Sequence, residues 1–210
     1  MQLLSSNFSP YSTRVRILIA KQQHQVEITA PDFALRSPEF LAKYPLGKIP
    51  VLKLSDSEYL SESWAIMQYL DALSEQSLSP SAPLANARMH EWLRYVDQHL
   101  APSLLPLFGQ LLGGPAIDVD AQMQKVRVEL DKGERLLSSN NRELKPLDLA
   151  DIATAAVMYF VVATPAQFGE MNILKDFPKL SAWWQRVLQD PEIETGVSEM
   201  RQAFEGFLKK

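Results

Sequence analysis

The stretch of sequence that says most about the fold is residues 36–52, RSPEFLAKYPLGKIPVL. Ser37 and Pro38 are the residue types preferred at an N-cap and at the first helical position, so they predict the start of a short helix. The apolar run 49–54 that follows predicts a strand. Pro50, at the head of that strand, is unusual because proline cannot donate a hydrogen bond to a sheet. A short helix that leads into a strand is typical of an α/β layer.

Pro50 allows two interpretations from sequence alone. With a trans peptide bond before it, the residue marks an edge strand. With a cis bond, Ile49 turns its backbone N–H and C=O outward, where they pair with an extended, peptide-like ligand. The residues themselves leave both alternatives open.

On both sides of this stretch, strand-like and helix-like segments alternate. Residues 1–5 and 25–29 have the apolar content or the period-two alternation of strands, and residues 58–60 form a further candidate. Apolar residues share one helical face in residues 13–23, and another helix follows the last strand. The order β-α-β-α-β-β-α predicts an α/β domain over residues 1–76.

The rest of the chain has a different character. Residues 77–83, SLSPSAP, are rich in serine and proline and predict a linker. Strand signals fade after it, and apolar stripes at helical spacing predict an all-helical domain over residues 84–210. Within that domain, Asp148 has the sequence context of an N-cap, with Leu147 and Ile152 spaced as a hydrophobic staple.

Composition excludes several classes of function. The 210 residues carry a net charge of −4 and no basic run, which disfavours binding to a nucleic-acid backbone. Because the chain has no cysteine, disulfides, thiolate metal sites and a cysteine nucleophile are excluded. With three histidines and no HExxH-like pairing, no metal site is expected. Any sulfur chemistry must use sulfur that a ligand brings.

No targeting or membrane segment is expected. The first residues lack the basic and apolar regions of a secretory signal. The most apolar run, residues 152–163, is about 12 residues long, whereas a helix that spans a bilayer needs about 20. The expectation is a soluble, cytoplasmic protein in which this run forms a buried core helix.

Three segments of the α/β part carry residues suited to a polar ligand. Residues 7–12, NFSPYS, place three hydroxyls at a helix N-terminus, where free N–H groups favour an anion. Residues 46–52 contain the unusual proline. At the start of the next helix, Ser63 and nearby N–H groups suit a carboxylate, while Glu62 suits an ammonium group. Each segment also has an ordinary interpretation as a helix cap or a strand end.

Taken together, the order and spacing of these segments resemble the glutathione transferase family. The resemblance spans essentially the whole chain and is strongest in SPYSTRVRI, RSPEFLAKYPLGKIPVL and LSESWAIMQYLD, with a weaker match in DLADIATA. It implies a thioredoxin-like N-terminal domain, an all-helical C-terminal domain and glutathione as the co-substrate.

The resemblance also implies which residues hold glutathione. Pro50 looks like the family's cis-proline, and Ile49 then pairs through its backbone with the cysteinyl part of glutathione. Arg36 and Lys48 match positions that contact the glycyl carboxylate in similar enzymes. The acid–hydroxyl pair that holds the γ-glutamyl end is matched by Glu62 and Ser63.

The expected reaction begins at the glutathione sulfur. Ser9 matches the hydroxyl that bonds this sulfur in the serine-type classes, which include the zeta group. A hydroxyl donor at a helix N-terminus stabilises a thiolate over a thiol. The thiolate then attacks an electrophile in a neighbouring apolar pocket. The residues expected to line that pocket are Phe8, Tyr11, Leu104, Phe108 and Tyr159.

The sequence departs from the family pattern at two positions. The zeta group has a cysteine two positions after its serine, and Tyr11 stands there in this chain, which disfavours a maleylacetoacetate isomerase. Tyr11 and Ser12 stay alternatives to Ser9 as the group that contacts the sulfur. Asp148 stands where the family commonly has Ser or Thr, and aspartate caps a helix equally well.

The expected function is therefore a cytoplasmic, homodimeric glutathione transferase of the alkyl- or aryl-transferring class, acting on a small hydrophobic electrophile in detoxification. A glutathione-dependent isomerase or peroxidase is an alternative that shares the site and differs in its second substrate. Another alternative is a non-catalytic, transferase-like protein that binds RNA polymerase, because YSTRVRI also resembles the stringent starvation protein A group. The retained glutathione-binding residues argue against it. No nucleic-acid or membrane partner is expected.

Overall fold

A computed structural model describes residues 1–209 of the chain, the side chain of Glu143 excepted. These residues form two compact units. One comprises Met1–Ser79 and the segment that begins at Pro191, and the other comprises Pro80–Asp190. The first is a thioredoxin-like α/β unit and the second consists of helices, so the predicted fold class is confirmed.

Among the residues that the structure describes, four short strands and four helices make up the first unit. The strands are β1 (Gln2–Leu4), β2 (Glu27–Thr29), β3 (Val51–Lys53) and β4 (Tyr59–Ser61). The helices are α1 (Pro10–Lys21), α2 (Pro38–Lys43), α3 (Ser63–Leu73) and the last helix of the chain, α9 (Pro191–Leu208). The predicted order of elements over the first 76 residues is confirmed. Helix α1 begins three residues earlier than the apolar periodicity indicates, because Ser9 caps it and Pro10 occupies its first position.

The strands lie in the order β2-β1-β3-β4. Strand β1 is parallel to β2, with Leu4 opposite Thr29, and antiparallel to β3, with Leu4 opposite Val51. Strand β4 is antiparallel to β3, with Val51 opposite Ser61. The C-terminal ends of β1, β2 and β4 and the N-terminal end of β3 therefore meet at one edge of the sheet, which we call the Leu4 edge.

Helices pack against this sheet. On one face, Phe40 of α2 and the adjacent Tyr44 pack against Leu4 and Val51, and the two aromatic rings lie 5.0 Å apart. Helices α1 and α3 pack against each other, and α3 also packs on β3 and β4. The closing helix α9 packs against α1. The predicted domain bounds at residues 76 and 84 stay a prediction. Sequence periodicity shows which face of a helix is apolar, but it does not show which element that face packs against.

The second unit contains five helices among its described residues: α4 (Pro83–Tyr95), α5 (Ala101–Leu111), α6 (Val119–Asn140), α7 (Leu149–Ala166) and α8 (Pro178–Val187). A π-helical segment, Val96–Leu100, joins α4 to α5 without a break. Gly133 in α6 permits the close approach of Tyr95, because an added Cβ would lie 2.6 Å from the tyrosine hydroxyl. The glycine that interrupts the apolar stripe of α6 is thus a packing residue.

Helix α7 is the core of the second unit, and its predicted cap is confirmed. The Asp148 carboxylate accepts hydrogen bonds from the N–H groups of Ala150 at 2.9 Å and Asp151 at 3.2 Å. The Asp151 carboxylate accepts in return from the Asp148 N–H at 3.1 Å, which completes a capping box. By length and composition α7 is apolar enough to cross a membrane, but 83% of it is buried inside the protein, as in a core helix.

Candidate functional site

Three segments that the sequence analysis singled out meet at the Leu4 edge of the sheet. The loop that contains Ser9 follows β1, Pro50 precedes β3, and Glu62 follows β4. Because these strand ends are adjacent in the sheet, segments that are far apart in sequence lie together. The N-termini of α1 and α3 begin at the same edge, so two positive helix-dipole ends are available there.

Ser9 is the N-cap of α1. Its side-chain oxygen accepts a hydrogen bond from the N–H of Ser12 at 3.2 Å, and its side chain is half-buried. A hydroxyl has two acceptor lone pairs and one donor hydrogen, so accepting this bond does not use the O–H group as a donor. The cap therefore holds the hydroxyl at the helix N-terminus and leaves it suited to donate to an anion.

The two other hydroxyls near this N-terminus, those of Tyr11 and Ser12 in the first turn of α1, have different surroundings. Ser12 is fully buried, at 0% exposure. Tyr11 is 37% exposed, and the guanidinium of Arg14 lies 4.6 Å from the centre of its ring. A ligand that approaches from solvent can therefore reach Ser9 and Tyr11 more readily than Ser12.

The Ile49–Pro50 peptide bond is cis, the second of the two alternatives that the sequence left open. Pro50 is buried, and Ile49 is half-buried against the cluster that includes Phe40 and Tyr44. These contacts hold the segment at the start of β3.

The two cations expected at the site, Arg36 and Lys48, are both exposed. Gly47 precedes Lys48 and has a φ of +62°, which glycine adopts without strain. A Cβ at Gly47 would lie 3.4 Å from Cγ of Arg36 and 2.9 Å from Cδ2 of Leu41. The Arg36 side chain thus packs beside the loop that carries Lys48, and the structure brings the two cations into one region.

Glu62 has an unusual backbone conformation, with φ 67° and ψ 110°. Such a conformation costs a residue with a side chain about 1–3 kcal/mol and is concentrated at functional sites. The Glu62 side chain is exposed, while Ser63, the first residue of α3, is buried. No side chain caps the N-terminus of α3 among the described residues. An exposed carboxylate therefore stands next to a helix N-terminus, as the sequence predicted.

Phe8, expected to line a pocket for the second substrate, packs inside the first unit. Its ring lies 5.3 Å from that of Phe207 and 6.2 Å from that of Phe204, both on α9. The side chain therefore contacts the closing helix. No local pattern predicts this contact, because the partners are almost 200 residues away along the chain.

The other expected pocket residues are Leu104 and Phe108 on α5 and Tyr159 on α7. Leu104 and Tyr159 are buried. The ring of Phe160 lies 5.4 Å from that of Phe108 and 5.1 Å from that of Tyr159, so one aromatic residue connects two of them. Their role toward a second substrate stays a prediction.

Sequence reasoning missed a charged group that connects the Ser9 loop to the closing helix. Arg16 of α1, almost fully buried, donates to the Asn7 carbonyl oxygen Oδ1 and, at 2.6 Å, to Oε2 of Glu199 on α9. Burial lowers the pKa of Arg16, and the Glu199 carboxylate offsets part of that effect. The available signal was an arginine between Val15 and Ile17 in an otherwise apolar stretch.

Comparison with known proteins decides the family. The N-terminal domain of glutathione S-transferases matches residues 3–78, and the C-terminal domain of glutathione S-transferases matches residues 85–191. The chain belongs to the glutathione S-transferase family. It is 32% identical over 166 residues to glutathione S-transferase F10 of Arabidopsis thaliana, an alignment that covers 72% of this chain and 74% of that protein.

The chain is also similar to a solved structure and to a protein with a different name. The fold is similar to glutathione S-transferase I from maize in complex with an atrazine–glutathione conjugate, with a TM-score of 0.78 and 25% identity, covering 95% of this chain and 97% of that one. The chain is also 26% identical over 170 residues to elongation factor 1-gamma of Danio rerio, covering 79% of this chain and 37% of that protein. Within residues 1–209, no group of three or more His, Asp or Glu side chains is arranged to hold a metal ion.

Proposed function

We propose that the protein is a serine-type glutathione transferase that activates the thiol of glutathione at Ser9 and transfers the sulfur to a small hydrophobic electrophile. The observation that carries this proposal is the meeting of Ser9, the cis Ile49–Pro50 bond and the Glu62–Ser63 pair at one edge of the sheet. The conjugate bound to the maize relative supports glutathione as the ligand.

The polar groups at the Leu4 edge suit the two charged ends of glutathione. At the γ-glutamyl end, Glu62 accepts hydrogen bonds from the ammonium group, and Ser63 with the N-terminus of α3 binds the carboxylate. The backbone of Ile49 pairs with the cysteinyl residue. Arg36 and Lys48 attract the glycyl carboxylate at the other end. A tripeptide held at both ends places its central sulfur between them, toward Ser9.

The reaction needs the thiolate form of glutathione. A free thiol has a pKa of about 8.5, so only a few per cent is ionised at neutral pH. Lowering that pKa by about two units requires about 2.7 kcal/mol. A hydrogen bond to a charged acceptor supplies about 1.5–3 kcal/mol and a helix N-terminus about 0.3–1 kcal/mol, which together are sufficient.

The electron balance of the transfer is simple. The thiol proton leaves to solvent, and the Ser9 O–H donates to the resulting thiolate. The sulfur electron pair then forms a bond to an electrophilic carbon, and a leaving group departs with the electrons of the bond that breaks. No oxidant and no protein thiol take part, in keeping with a chain that has no cysteine.

Replacing Ser9 tests this function. In Ser9→Ala, we expect glutathione to bind with little change, kcat/KM for transfer to a model aryl halide to fall about 100-fold, and the pKa of the bound thiol to rise toward about 8.5. Ser12→Ala is the matched control, because its buried hydroxyl lies in the first turn of the helix that Ser9 caps. Calorimetry measures binding, and the pH dependence of kcat/KM gives the thiol pKa. Unchanged kinetics in Ser9→Ala would remove Ser9 from the mechanism.

A second candidate function is that of a non-catalytic module on the same scaffold. The observation that favours it is the similarity to a protein named as an elongation factor. The sequence analysis offers one alternative of this kind, a non-catalytic protein that binds RNA polymerase. Failure of the wild-type protein to bind millimolar glutathione, together with recovery of the polymerase in a pull-down, would favour it.

We also propose, from the family, a cytoplasmic homodimer. Light scattering of the purified protein tests its dimeric state.

A further inference from the structure

The loop that carries Ser9 is held from one side by a buried cation. Arg16 of α1 reaches in two directions: one guanidinium nitrogen donates to the side chain of Asn7 in the loop, and the other donates to Glu199 of α9 at 2.6 Å. Arg16 is 7% exposed and Glu199 46% exposed. Because the guanidinium is planar and rigid, fixing one of its nitrogens also fixes the direction of the other.

The same loop is held from another side by apolar contact. Phe8, directly before Ser9, packs its ring at 5.3 Å from that of Phe207 and 6.2 Å from that of Phe204. Both of these rings belong to α9, one helical turn apart. Aromatic pairs at such separations add about 0.5–1.5 kcal/mol beyond the area they bury.

The closing helix is itself tightly fixed on α1. An added Cβ at Gly196 would lie 2.5 Å from Cγ1 and 2.9 Å from Cδ1 of Ile17, so the two helices are in close contact at this point. Ile17 follows Arg16 directly. Two sets of contacts therefore connect α9 to the Ser9 loop. Glu199 of α9 binds Arg16, which binds Asn7 of the loop, and Phe207 of α9 packs on Phe8.

We propose that α9 is a positioning helix for the thiol-activating serine: Glu199, through Arg16, and Phe207, through Phe8, hold the Ser9 loop where its hydroxyl meets the sulfur. This inference rests on the proposed transferase function and deepens it. Asn7 and Phe8 are the two residues immediately before Ser9, so a displacement at either one moves the hydroxyl. Misplacing a catalytic group by about 1 Å can lower a rate by about 100-fold.

The charged anchor is tested with two substitutions on one helix. Glu199→Ala removes the partner of Arg16, and Glu199→Gln keeps an oxygen that accepts a hydrogen bond. The matched control is Glu192→Ala, which removes another ion pair between α1 and α9, to Lys21 at 3.4 Å. That pair lies at the opposite end of α1 from the Ser9 loop.

The aromatic anchor is tested in the same way. Phe207→Ala removes the nearer of the two α9 rings that pack on Phe8, and Leu208→Ala is the control at the neighbouring, 39% exposed position. We expect Glu199→Ala and Phe207→Ala each to lower kcat about tenfold with a KM for glutathione within about twofold of wild type, and to raise the pKa of the bound thiol. Both controls should match the wild type, and Glu199→Gln should recover most of the lost kcat.

A second measurement does not depend on glutathione. Hydrogen exchange in a peptide that covers residues 6–13 reports the Ser12 N–H, which donates to the Ser9 hydroxyl, and the Ser9 N–H, which donates to the Ser6 carbonyl at 3.1 Å. Exchange should be at least about fivefold faster in Glu199→Ala and Phe207→Ala than in the controls.

The outcomes separate this inference from the function it rests on. Faster exchange with a raised thiol pKa in both anchor variants supports the positioning role. Unchanged exchange overturns it, and so does a loss of activity equal in the anchor and control variants, since that outcome indicates general destabilisation. Absence of glutathione binding by the wild-type protein overturns the proposed function and the catalytic part of this inference, while the exchange data still decide whether α9 holds the loop.

Discussion

Asp71 shows how one buried carboxylate organises an irregular segment. It lies near the end of α3 and accepts hydrogen bonds from Gln22 Nε2 at 2.7 Å, Ser77 Oγ at 2.8 Å, and the N–H groups of Leu78 at 2.8 Å and Ser79 at 3.2 Å. The first residues of the predicted linker are thus fixed to the first unit. Neither a cap motif nor a periodic pattern marks Asp71 in the sequence.

The same residue leads to a prediction about pH. Burial alone raises the pKa of Asp71, but the hydrogen bonds from Leu78, Ser79, Ser77 and Gln22 outweigh it and lower the pKa below its usual value. The folded state then binds fewer protons than the unfolded state, so the stabilisation is present above about pH 4 and is lost as the pH falls through the lowered pKa.

Asp71→Asn should therefore lower the free energy of unfolding by about 1–3 kcal/mol at neutral pH, with a smaller deficit below about pH 3. Urea unfolding of both proteins at a series of pH values measures the difference. Asp56→Asn, at an exposed position in the turn between β3 and β4, is the control and should change stability by less than about 0.5 kcal/mol. A deficit independent of pH would contradict the assignment.

At the scale of elements, how closely two helices pack depends on the positions of their glycine residues. Helix α9 contains Gly196, which lies against Ile17 and Thr13 of α1, and Gly206, which has no atom within 4 Å of an added Cβ. In an isolated helix both glycines are unfavourable by about 1 kcal/mol relative to alanine. In the folded protein, only Gly196 is required by a neighbouring helix.

The two glycines should therefore respond in opposite directions. Gly196→Ala forces a Cβ to 2.5 Å from Ile17 and should lower the free energy of unfolding by about 1–3 kcal/mol. Gly206→Ala meets open space and should raise it by up to about 1 kcal/mol. Thermal and urea unfolding measure both effects. In the double variant Gly196→Ala with Ile17→Ala, which removes both contacting carbons, the loss should be smaller than the sum of the two single losses. Equal effects at the two positions would disprove close packing at Gly196.

The start of α7 shows what local pattern predicts and what it leaves out. The Asp148–Asp151 capping box follows from residue types at fixed spacing, so it is predictable. Its surroundings are not: Arg142 Nε donates to Asp151 at 2.9 Å, and the Trp183 indole N–H donates to the same oxygen at 2.8 Å. Burial and the adjacent Asp151 charge raise the pKa of Asp148, while Arg142 opposes them.

At the scale of the whole molecule, ligand binding and folding are linked. A ligand that binds only the folded protein raises its stability by about 2.7 kcal/mol at 100 times the dissociation constant. The proposed glutathione site lies on strand ends and helix N-termini of the first unit, so saturating it should stabilise that unit. Glutathione in millimolar excess is therefore expected to raise the unfolding midpoint.

Variants of Glu62 and Glu58 test whether the shift of the unfolding midpoint comes from glutathione bound at the proposed site. Both are exposed and flank β4, with Glu62 at the Leu4 edge and Glu58 at the opposite end. Glu62→Gln should leave the midpoint without ligand nearly unchanged and remove at least half of the shift that glutathione produces, because a charged partner of the ammonium group is lost. Glu58→Gln should retain the full shift. Equal shifts in the two variants would place the γ-glutamyl end elsewhere.

By itself, the sequence determined the order of the strands and helices over the first 76 residues, the caps at Ser37 and Asp148, and the three segments that carry the candidate site. Those features depend on side-chain types at short, fixed spacing, so they are legible in one chain. Tertiary structure decided that Ser12 is buried, and that α9 returns to α1 and holds the loop around Ser9. These outcomes depend on contacts between residues up to almost 200 positions apart, and only folding selects such partners.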